Sequence, residues 1–194
     1  MVTTYTDLIQ RTPHSPEAMK NATKWLQEQA TLVRSVRQPE NLIAKTPDRL
    51  TTKVVIGRMY LFMYDPKTKA DLPYYDRLPL IFPFAKANDG FYGINLHYLP
   101  PLLRARLMDA LHQLANNQRY DDTTKLRLSY QILANAAKFK YFKPCVKHYL
   151  NNHVRSRFLW VPASNWNTVL FLPIDRFVKA RREKVWRDSQ RMVQ

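Results

Sequence analysis

The chain has 194 residues, 45% of them hydrophobic, and its 31 lysines and arginines outnumber 15 aspartates and glutamates, which gives a formal net charge of +16. This length fits one domain with extensions better than two full domains, and no stretch is apolar for long enough to span a membrane. The amino terminus lacks a secretory signal pattern, and a single cysteine, Cys145, excludes an internal disulfide framework or a multi-cysteine zinc site. So basic a protein is expected to bind a polyanion or an acidic protein surface.

Residues 1–54 are predicted to form an arm followed by an amphipathic helix. The first fourteen residues show no periodicity, whereas Ser15 suits an N-cap, Pro16 suits the first helical position, and apolar residues then recur at steps of three or four as far as Val33. Pro39 and Pro47 mark a connector. We therefore expect a boundary near residue 54, with residues 55–194 as the main domain.

Strand-like patterns dominate the next part of the chain, in GRMYLFMYDP, PLIFPF and FYGINLHYLP. The first and third alternate apolar and polar residues, a long polar loop separates the first two, and Asp89-Gly90 suits a turn before the third. A fourth strand is expected in RFLWVPASNWNTVLFLP, which itself reads as a hairpin. Consecutive antiparallel strands of this kind predict a small SH3-like β-barrel.

Between the third strand and the last hairpin the periodicity changes to that of an α-helix. PPLLRARLMDALHQLANN and DTTKLRLSYQILANAAKF, the second capped by Asp122, each have one apolar face, and KPCVKHYLNNHVRSRF predicts a third, shorter helix after Pro144. A helical insertion at about residues 100–155 thus interrupts the barrel, and IDRFVKARREKVWRDSQRMV predicts a basic last helix. The expected fold class is α+β, an SH3-like antiparallel barrel with this insertion and basic amino- and carboxyl-terminal helices.

Basic residues are segregated along the chain. No aspartate or glutamate occurs from Thr123 to Ile174, and a second basic cluster follows in the last helix. Solvated helical faces explain most runs of charge, but so long an acid-free span favours a surface that binds nucleic acid or an acidic protein. The candidate DNA-binding residues are Lys138, Lys140, Lys143, Lys147, Arg155, Arg157, Lys179, Arg181, Arg182 and Lys184.

Aromatic residues lie among these cations and allow two interpretations. They fit base stacking on single-stranded ends, but the helical spacing of Phe142 and Tyr149 favours the core. The residues concerned are Tyr141, Phe142, Tyr149, Phe158 and Trp160. We therefore expect contacts mainly to phosphates, without base specificity.

No pattern of catalytic or metal-binding residues emerges, so we expect no enzyme, cofactor or metal site. The five histidines are scattered, and His97 is interpreted as a structural histidine on a strand. Three glycines allow no phosphate-cradling loop. Cys145 is interpreted as a small buried residue rather than an activated thiol. Basic residues interleave with the loop carboxylates, which favours a solvated charged loop over a metal site at Asp65, Asp71 and Asp76.

The order of several motifs resembles structural proteins of T4-like tailed bacteriophages, most closely the DNA end protector proteins. The stretches that carry the resemblance are GRMYLFMYDPKTKADLPYYDRLPLIFPF, GFYGINLHYLPPLLRARLMDAL, VRSRFLWVPASNWNTVLFLPIDRFVKA and VWRDSQR, within roughly residues 55–190. This resemblance implies a minor virion component that caps the ends of packaged double-stranded DNA, completes the head and shields injected ends from host exonuclease. It brings no catalytic residues.

The same resemblance implies partners and a location. The partners are double-stranded DNA ends and other virion proteins of the portal, neck or tail, without a membrane, and a neck position is compatible with a ring oligomer. The location is the virion, and the host cytoplasm during assembly and after injection.

Two alternatives remain open at the level of sequence. A tail, neck or baseplate assembly protein would use the basic surface to bind acidic neighbouring subunits rather than DNA. A barrel-type ribonuclease toxin would need an acid–base pair, which the sequence does not reveal. The salt dependence of DNA binding separates the first alternative from DNA capping.

Overall fold

The computed structural model describes residues 49–166 and 174–192, and these segments contain eight strands and three α-helices. The strands are β1 (Leu50–Thr51), β2 (Met59–Leu61), β3 (Tyr75–Asp76), β4 (Leu80–Ala87), β5 (Gly90–Asn95), β6 (Val146–Leu150), β7 (Phe158–Val161) and β8 (Phe177–Val178). The helices are α1 (Pro101–Ala115), α2 (Asp122–Lys138) and α3 (Arg182–Arg191), and short 3₁₀ helices span Leu96–Tyr98, Lys140–Cys145, Asn151–His153 and Ala163–Asn165. The predicted amino-terminal arm and helix, as far as residue 48, and the second strand of the last hairpin, at residues 167–173, lie outside the described residues.

Six strands form one antiparallel sheet in the order β1-β7-β2-β4-β5-β6, while β3 pairs with β8. As predicted, β2 pairs with β4 across the long polar loop, and the two residues Asn88 and Asp89 turn β4 into β5. The mixed, antiparallel class is confirmed. The described strands do not form a closed barrel, because β1 and β6 lie at opposite edges of the sheet and closure requires the two edges to pair. The sequence shows consecutive strands but not whether the first and last of them meet.

The segment after Pro144 is a strand, so the prediction of a third helix there was wrong. β6 pairs antiparallel with β5, and Tyr149 lies opposite Phe91 with 5.6 Å between the ring centroids. The free edge of β5 offers backbone hydrogen bonds, and burial of Tyr149 adds apolar contact. These tertiary terms outweigh the local helical pattern.

Apolar side chains cover both faces of the sheet, because successive residues of a strand point to opposite sides. Met59 and Leu61 face the helices, whereas Tyr60 between them faces the other side. There it joins a group that we call the aromatic face, made of Tyr60, Phe62, Tyr64, Ile81, Phe91, Tyr149 and Phe158. Phe62 makes edge contacts within it, with 5.0 Å between its ring centroid and that of Phe158.

The helices pack on the side of the sheet opposite the aromatic face. Helix α2 is capped by Asp121, one residue before the predicted cap, and the Asp121 carboxylate accepts a hydrogen bond of 2.7 Å from the Thr124 amide. The predicted carboxyl-terminal helix is present as α3 only from Arg182, and the earlier part of the predicted stretch was wrong, because Phe177–Val178 form β8, which pairs with β3. Helix α3 is attached by the buried Val185 and by Trp186, whose Nε1 donates to the His97 carbonyl at 2.9 Å.

Candidate nucleic-acid interface

A cleft of about 920 Å³, which we call the basic cleft, is lined by four cationic side chains. Lys53 follows β1, Lys86 lies near the end of β4, and Arg155 and Arg157 precede β7. The other residues of the lining carry no charge; they are Thr52, Val54, Ile56, Ala87, Gly90, Phe91, Asn151, Val154, Ser156 and Phe158. Cations without carboxylates in a concave site produce a positive potential that attracts anions.

Hydrogen bonds to the backbone hold Arg155 and Arg157 in place in the basic cleft. The Arg157 guanidinium donates to the Leu50 carbonyl at 2.9 Å, and the Arg155 amide donates to the Met63 carbonyl at 2.8 Å. The Arg155 guanidinium lies 4.0 Å from the Asp65 carboxylate, and its side chain is 51% exposed. Because a guanidinium has five N–H donors, both arginines keep donors for a phosphate in the cleft.

Three of the predicted lysines lie elsewhere on the surface. Lys138 ends α2, and Lys140 and Lys143 follow in the 3₁₀ helix; all three are exposed. That 3₁₀ helix packs against α3. The middle of the acid-free span therefore adjoins the basic carboxyl-terminal helix, on the side of the sheet opposite the aromatic face.

Several predicted cations near α3 already have partners within the chain. Arg182 is 3.4 Å from Asp175, and Lys184 is 2.9 Å from Asp188. The Lys179 ammonium donates at 2.8–3.0 Å to the carbonyls of Lys69, Ala70 and Leu72. Arg181 is exposed beside them, in a shallow depression lined by Lys179, Ala180, Arg181, Glu183, Lys184 and Arg187. The candidate residues thus do not share one surface, since Arg155 and Arg157 line the basic cleft while this group surrounds α3.

Lys147 occupies a separate pocket of about 300 Å³. Its ammonium nitrogen lies 4.1 Å from the centroid of the Tyr98 ring, a cation–π geometry. Burial lowers the pKa of Lys147, because the pocket removes water from the ammonium group. We call this site the tyrosine pocket, since its wall includes Tyr64, Tyr74, Tyr75, Tyr98 and Tyr149.

A buried carboxylate, Asp76, also lies at the tyrosine pocket. Its Oδ2 is 2.7 Å from His97 Nδ1 and accepts a 3.1 Å hydrogen bond from Asn95 Nδ2, while its Oδ1 accepts from the Leu78 amide at 3.1 Å. Burial alone would raise the pKa of Asp76, but the charge and hydrogen bond of His97, with the other donors, outweigh it and leave the pKa below its ordinary value.

This pair settles two interpretations made from the sequence. His97 is confirmed as a structural histidine, since it is buried and bonded to Asp76, but it lies in the 3₁₀ helix Leu96–Tyr98 rather than on a strand. The placement of Asp76 in a solvated loop was wrong, because the residue is only 4% exposed. Its neighbours Asp65, which pairs with Lys69 at 3.0 Å, and the exposed Asp71 do lie in such a loop.

The aromatic residues of the acid-free span pack inside the protein rather than forming a stacking platform. Tyr149 and Phe158 belong to the aromatic face, and Phe142 packs against the core on the helical side. Trp160 is partly buried under the Arg58 guanidinium, 5.1 Å from its ring, and the side chain of Tyr141 lies outside the described part. Cys145 is likewise buried, as expected, and burial raises the pKa of its thiol to about 12.

Two residues of the basic cleft were missed by the sequence analysis. Lys53 and Lys86 lie outside the acid-free span and are more than thirty residues apart, so no local cluster marks them. They meet because β1 pairs with β7, while β4 joins the same sheet through β2. One feature of the sequence could have indicated Lys86. It lies close to the Asn88-Asp89 turn, and side chains near a turn are accessible to a ligand.

Comparison with known protein families decides what kind of chain this is. Residues 4–189 match the family described as Phage T4 terminal DNA protecting protein. The chain belongs to this family. The family assignment confirms the resemblance to end protector proteins found in the sequence motifs. No curated protein and no solved structure matches the chain.

Neither a metal-binding cluster nor a membrane-spanning helix occurs in the part of the chain that the structure describes. Between residues 49 and 166 and between 174 and 192, histidine, cysteine and carboxylate side chains form no group of three suited to a metal ion. Over the same ranges, none of the helices combines the length and apolar character needed to cross a membrane.

Proposed function

We propose that this protein binds and covers the ends of double-stranded DNA through sequence-independent phosphate contacts. The observation that carries the proposal is the basic cleft, in which four cations and no carboxylate line a concave surface. The family to which the chain belongs is named for the protection of terminal DNA. A polyanion is the ligand that this charge distribution favours.

The lining of the cleft suits a sequence-independent contact. Lysine and arginine side chains neutralise phosphates, and phosphate contacts fix a duplex in position without reading its bases. The aromatic residues at the cleft, Phe91 and Phe158, are packed in the aromatic face, where neither ring is available for stacking on bases. The proposed role is therefore binding and steric protection rather than catalysis.

The biological setting follows from the same proposal. A protein that caps packaged DNA would complete the phage head, remain in the virion, and enter the host cytoplasm with the injected DNA. During assembly it would contact portal, neck or tail subunits. A ring of copies at the neck would match the symmetry of such a position.

A second candidate function is supported by the surface around α3. Arg181 and Arg187 lie there with Lys179 and Lys184, next to a single carboxylate lining residue, Glu183. Because α3 packs on the helical side of the sheet, this surface does not belong to the basic cleft. We propose that it binds acidic surfaces of neighbouring virion subunits, while the cleft holds DNA.

Salt titration tests the assignment of DNA to the cleft. In a variant with Lys53→Gln, Lys86→Gln, Arg155→Gln and Arg157→Gln, the slope of log Kobs against log [salt] should become shallower by about 0.9 for each cation that contacts a phosphate. The measurement is fluorescence anisotropy with a labelled duplex at five salt concentrations.

The matched control is a set of cations on the α3 surface, changed as Arg181→Gln and Arg187→Gln. This variant loses charge at exposed positions but should keep the wild-type slope. If the control lowers the slope per removed charge as much as the cleft variant does, the contact is a diffuse attraction to a basic protein and the cleft is not the site.

A further inference from the structure

The tyrosine pocket has a composition that the phosphate contacts of the cleft do not explain. It is bounded by the loop after Tyr64, by β3, and by β5 and β6, and its volume of about 300 Å³ is that of a small ligand site. Tyr64, Tyr74, Tyr98 and Tyr149 are each at most 8% exposed and pack in the core, whereas Lys67 and Thr68 are exposed and Lys147 is partly exposed. The pocket therefore offers cationic and hydroxyl groups to an anionic ligand.

Lys147 gives the pocket a cation that lacks an anionic partner. Among the described residues its ammonium group has no ion pair and no hydrogen-bond acceptor, and its neighbour is the Tyr98 ring at 4.1 Å. The Asp76 carboxylate of the same pocket is already bonded to His97 and Asn95. A half-buried ammonium of this kind gains free energy when an anion enters beside it.

The tyrosine pocket and the basic cleft are lined by consecutive residues of one segment of the chain. Residues 147–150 line the tyrosine pocket, and the next residue, Asn151, lines the cleft together with Arg155 and Arg157. The Tyr64 hydroxyl accepts a 3.1 Å hydrogen bond from the Leu150 amide at this junction. Lys147 therefore lies four residues from the cleft lining, about 13 Å along an extended strand.

We propose that the tyrosine pocket receives the terminal nucleotide of one DNA strand, with its 5′-phosphate on the Lys147 ammonium. This inference rests on the proposed function and adds to it the means by which an end is distinguished from the middle of a duplex.

Selectivity for an end follows from the size of the pocket. A volume of about 300 Å³ suits a single nucleotide rather than a stretch of duplex. An internal nucleotide would have to leave the stack with its backbone continuous on both sides, whereas a terminal base unpairs at a lower free energy. A terminal 5′-phosphate also carries more negative charge than a phosphodiester, which favours the ammonium of Lys147.

The test compares duplexes of one sequence with three kinds of end. The full chain is titrated at a single salt concentration with a blunt duplex carrying 5′-phosphates, the same duplex with 5′-hydroxyls, and a closed form whose ends are hairpin loops. The wild-type protein should bind the phosphorylated duplex at least tenfold more tightly than the closed form and more tightly than the 5′-hydroxyl form. Lys147→Met, which keeps the apolar stem over Tyr98 and removes the charge, should lose most of this preference.

Two further variants keep the test decisive. Arg127→Met removes an exposed cation of α2 that is neither in the pocket nor among the candidate DNA-binding residues, and it should leave the preference unchanged. Thr68→Trp adds bulk at an exposed position of the pocket lining and should abolish the preference even if Lys147→Met fails to fold.

The outcomes separate this inference from the proposed function. If the wild-type protein prefers open ends and both pocket variants keep that preference, the nucleotide site is wrong and end capping by the cleft stands. If the wild-type protein binds closed and open duplexes equally, the proposed end protection fails, and the terminal-nucleotide site falls with it.

Discussion

Asp76 connects distant parts of the chain through one buried carboxylate. Besides His97 and Asn95 it receives the backbone amides of Leu78 and of Arg176, the latter at 3.3 Å from across the small β3–β8 sheet. Asp76 therefore connects β5, β3 and the start of β8, and it does so beside the tyrosine pocket. Removal of this buried carboxylate would strongly destabilise the protein, because each of its partners would lose a hydrogen-bond acceptor.

We predict that Asp76→Asn lowers the free energy of unfolding at pH 7 by about 3–5 kcal/mol. Because the folded pKa of Asp76 lies below its ordinary value, the carboxylate contributes stability above about pH 4, and this contribution is lost as the pH falls further. The difference between wild type and variant should therefore shrink from pH 7 to pH 3. Urea unfolding followed by circular dichroism at both pH values measures it.

The control for this prediction is Asp71→Asn, an exposed carboxylate in the preceding loop. Its effect should stay within about 0.5 kcal/mol. A difference between wild type and Asp76→Asn that grows toward acid pH would contradict the assignment of a depressed pKa to Asp76.

At the scale of elements, the edge strand β6 positions both candidate sites. It runs directly into the segment that lines the basic cleft, and its own residues line the tyrosine pocket. Its pairing with β5 depends on close approach at Gly90, where a Cβ atom would overlap the Tyr149 carbonyl. At Gly93, on the same strand, the nearest atom to an added Cβ is the end of the Ile81 side chain, Cδ1, at 3.0 Å.

We predict that Gly90→Ala destabilises the protein by about 1–3 kcal/mol, and that Gly93→Ala has a smaller effect. A backbone carbonyl cannot move without breaking the β5–β6 pairing, whereas the Ile81 side chain can rotate. Urea unfolding gives the two free energies, and hydrogen exchange of the β6 amides shows whether the edge strand opens. Equal effects of the two substitutions, or unchanged exchange in β6 for Gly90→Ala, would contradict this role for Gly90.

The sequence predicted the elements whose signals are local. The turn at Asp89, predicted one residue late, the pairing of β2 with β4, helices α1 and α2, and the later part of the carboxyl-terminal helix were predicted. Their signals, which are turn residues, alternation and helical periodicity, lie in neighbouring positions. The sequence predicted a helix at β6 because the strand conformation there depends on pairing with β5, which lies more than fifty residues earlier. The openness of the sheet was missed for the same reason.

The candidate site was predictable in its chemistry but not in its arrangement. The acid-free span identified Arg155 and Arg157, and composition alone indicated an anionic partner. Lys53 and Lys86 reach the same cleft through the sheet register, and the partners of Lys147 and Lys179 depend on loops far away in sequence. Sequence spacing cannot predict these contacts, because they arise from tertiary packing.

At the scale of the whole molecule, the sheet separates two basic surfaces. The basic cleft lies by the aromatic face, and the α3 surface lies on the helical side. This division allows one copy to hold DNA and contact a neighbouring subunit at the same time. On the proposed function, the net charge of +16 would serve two partners, DNA and a neighbouring subunit.

Protection of DNA ends from an exonuclease tests the central claim most directly. Linear duplex DNA is incubated with the protein at several salt concentrations, challenged with a processive end-dependent exonuclease, and compared with the same reaction containing a nicked circle as competitor. The wild-type protein should protect the ends, protection should weaken as salt rises, and the nicked circle should compete poorly. The cleft variant of Lys53, Lys86, Arg155 and Arg157 should lose protection while the Arg181 and Arg187 variant keeps it. Full degradation in the presence of wild-type protein, or equal protection by the cleft variant, would contradict the proposal that the cleft caps DNA ends.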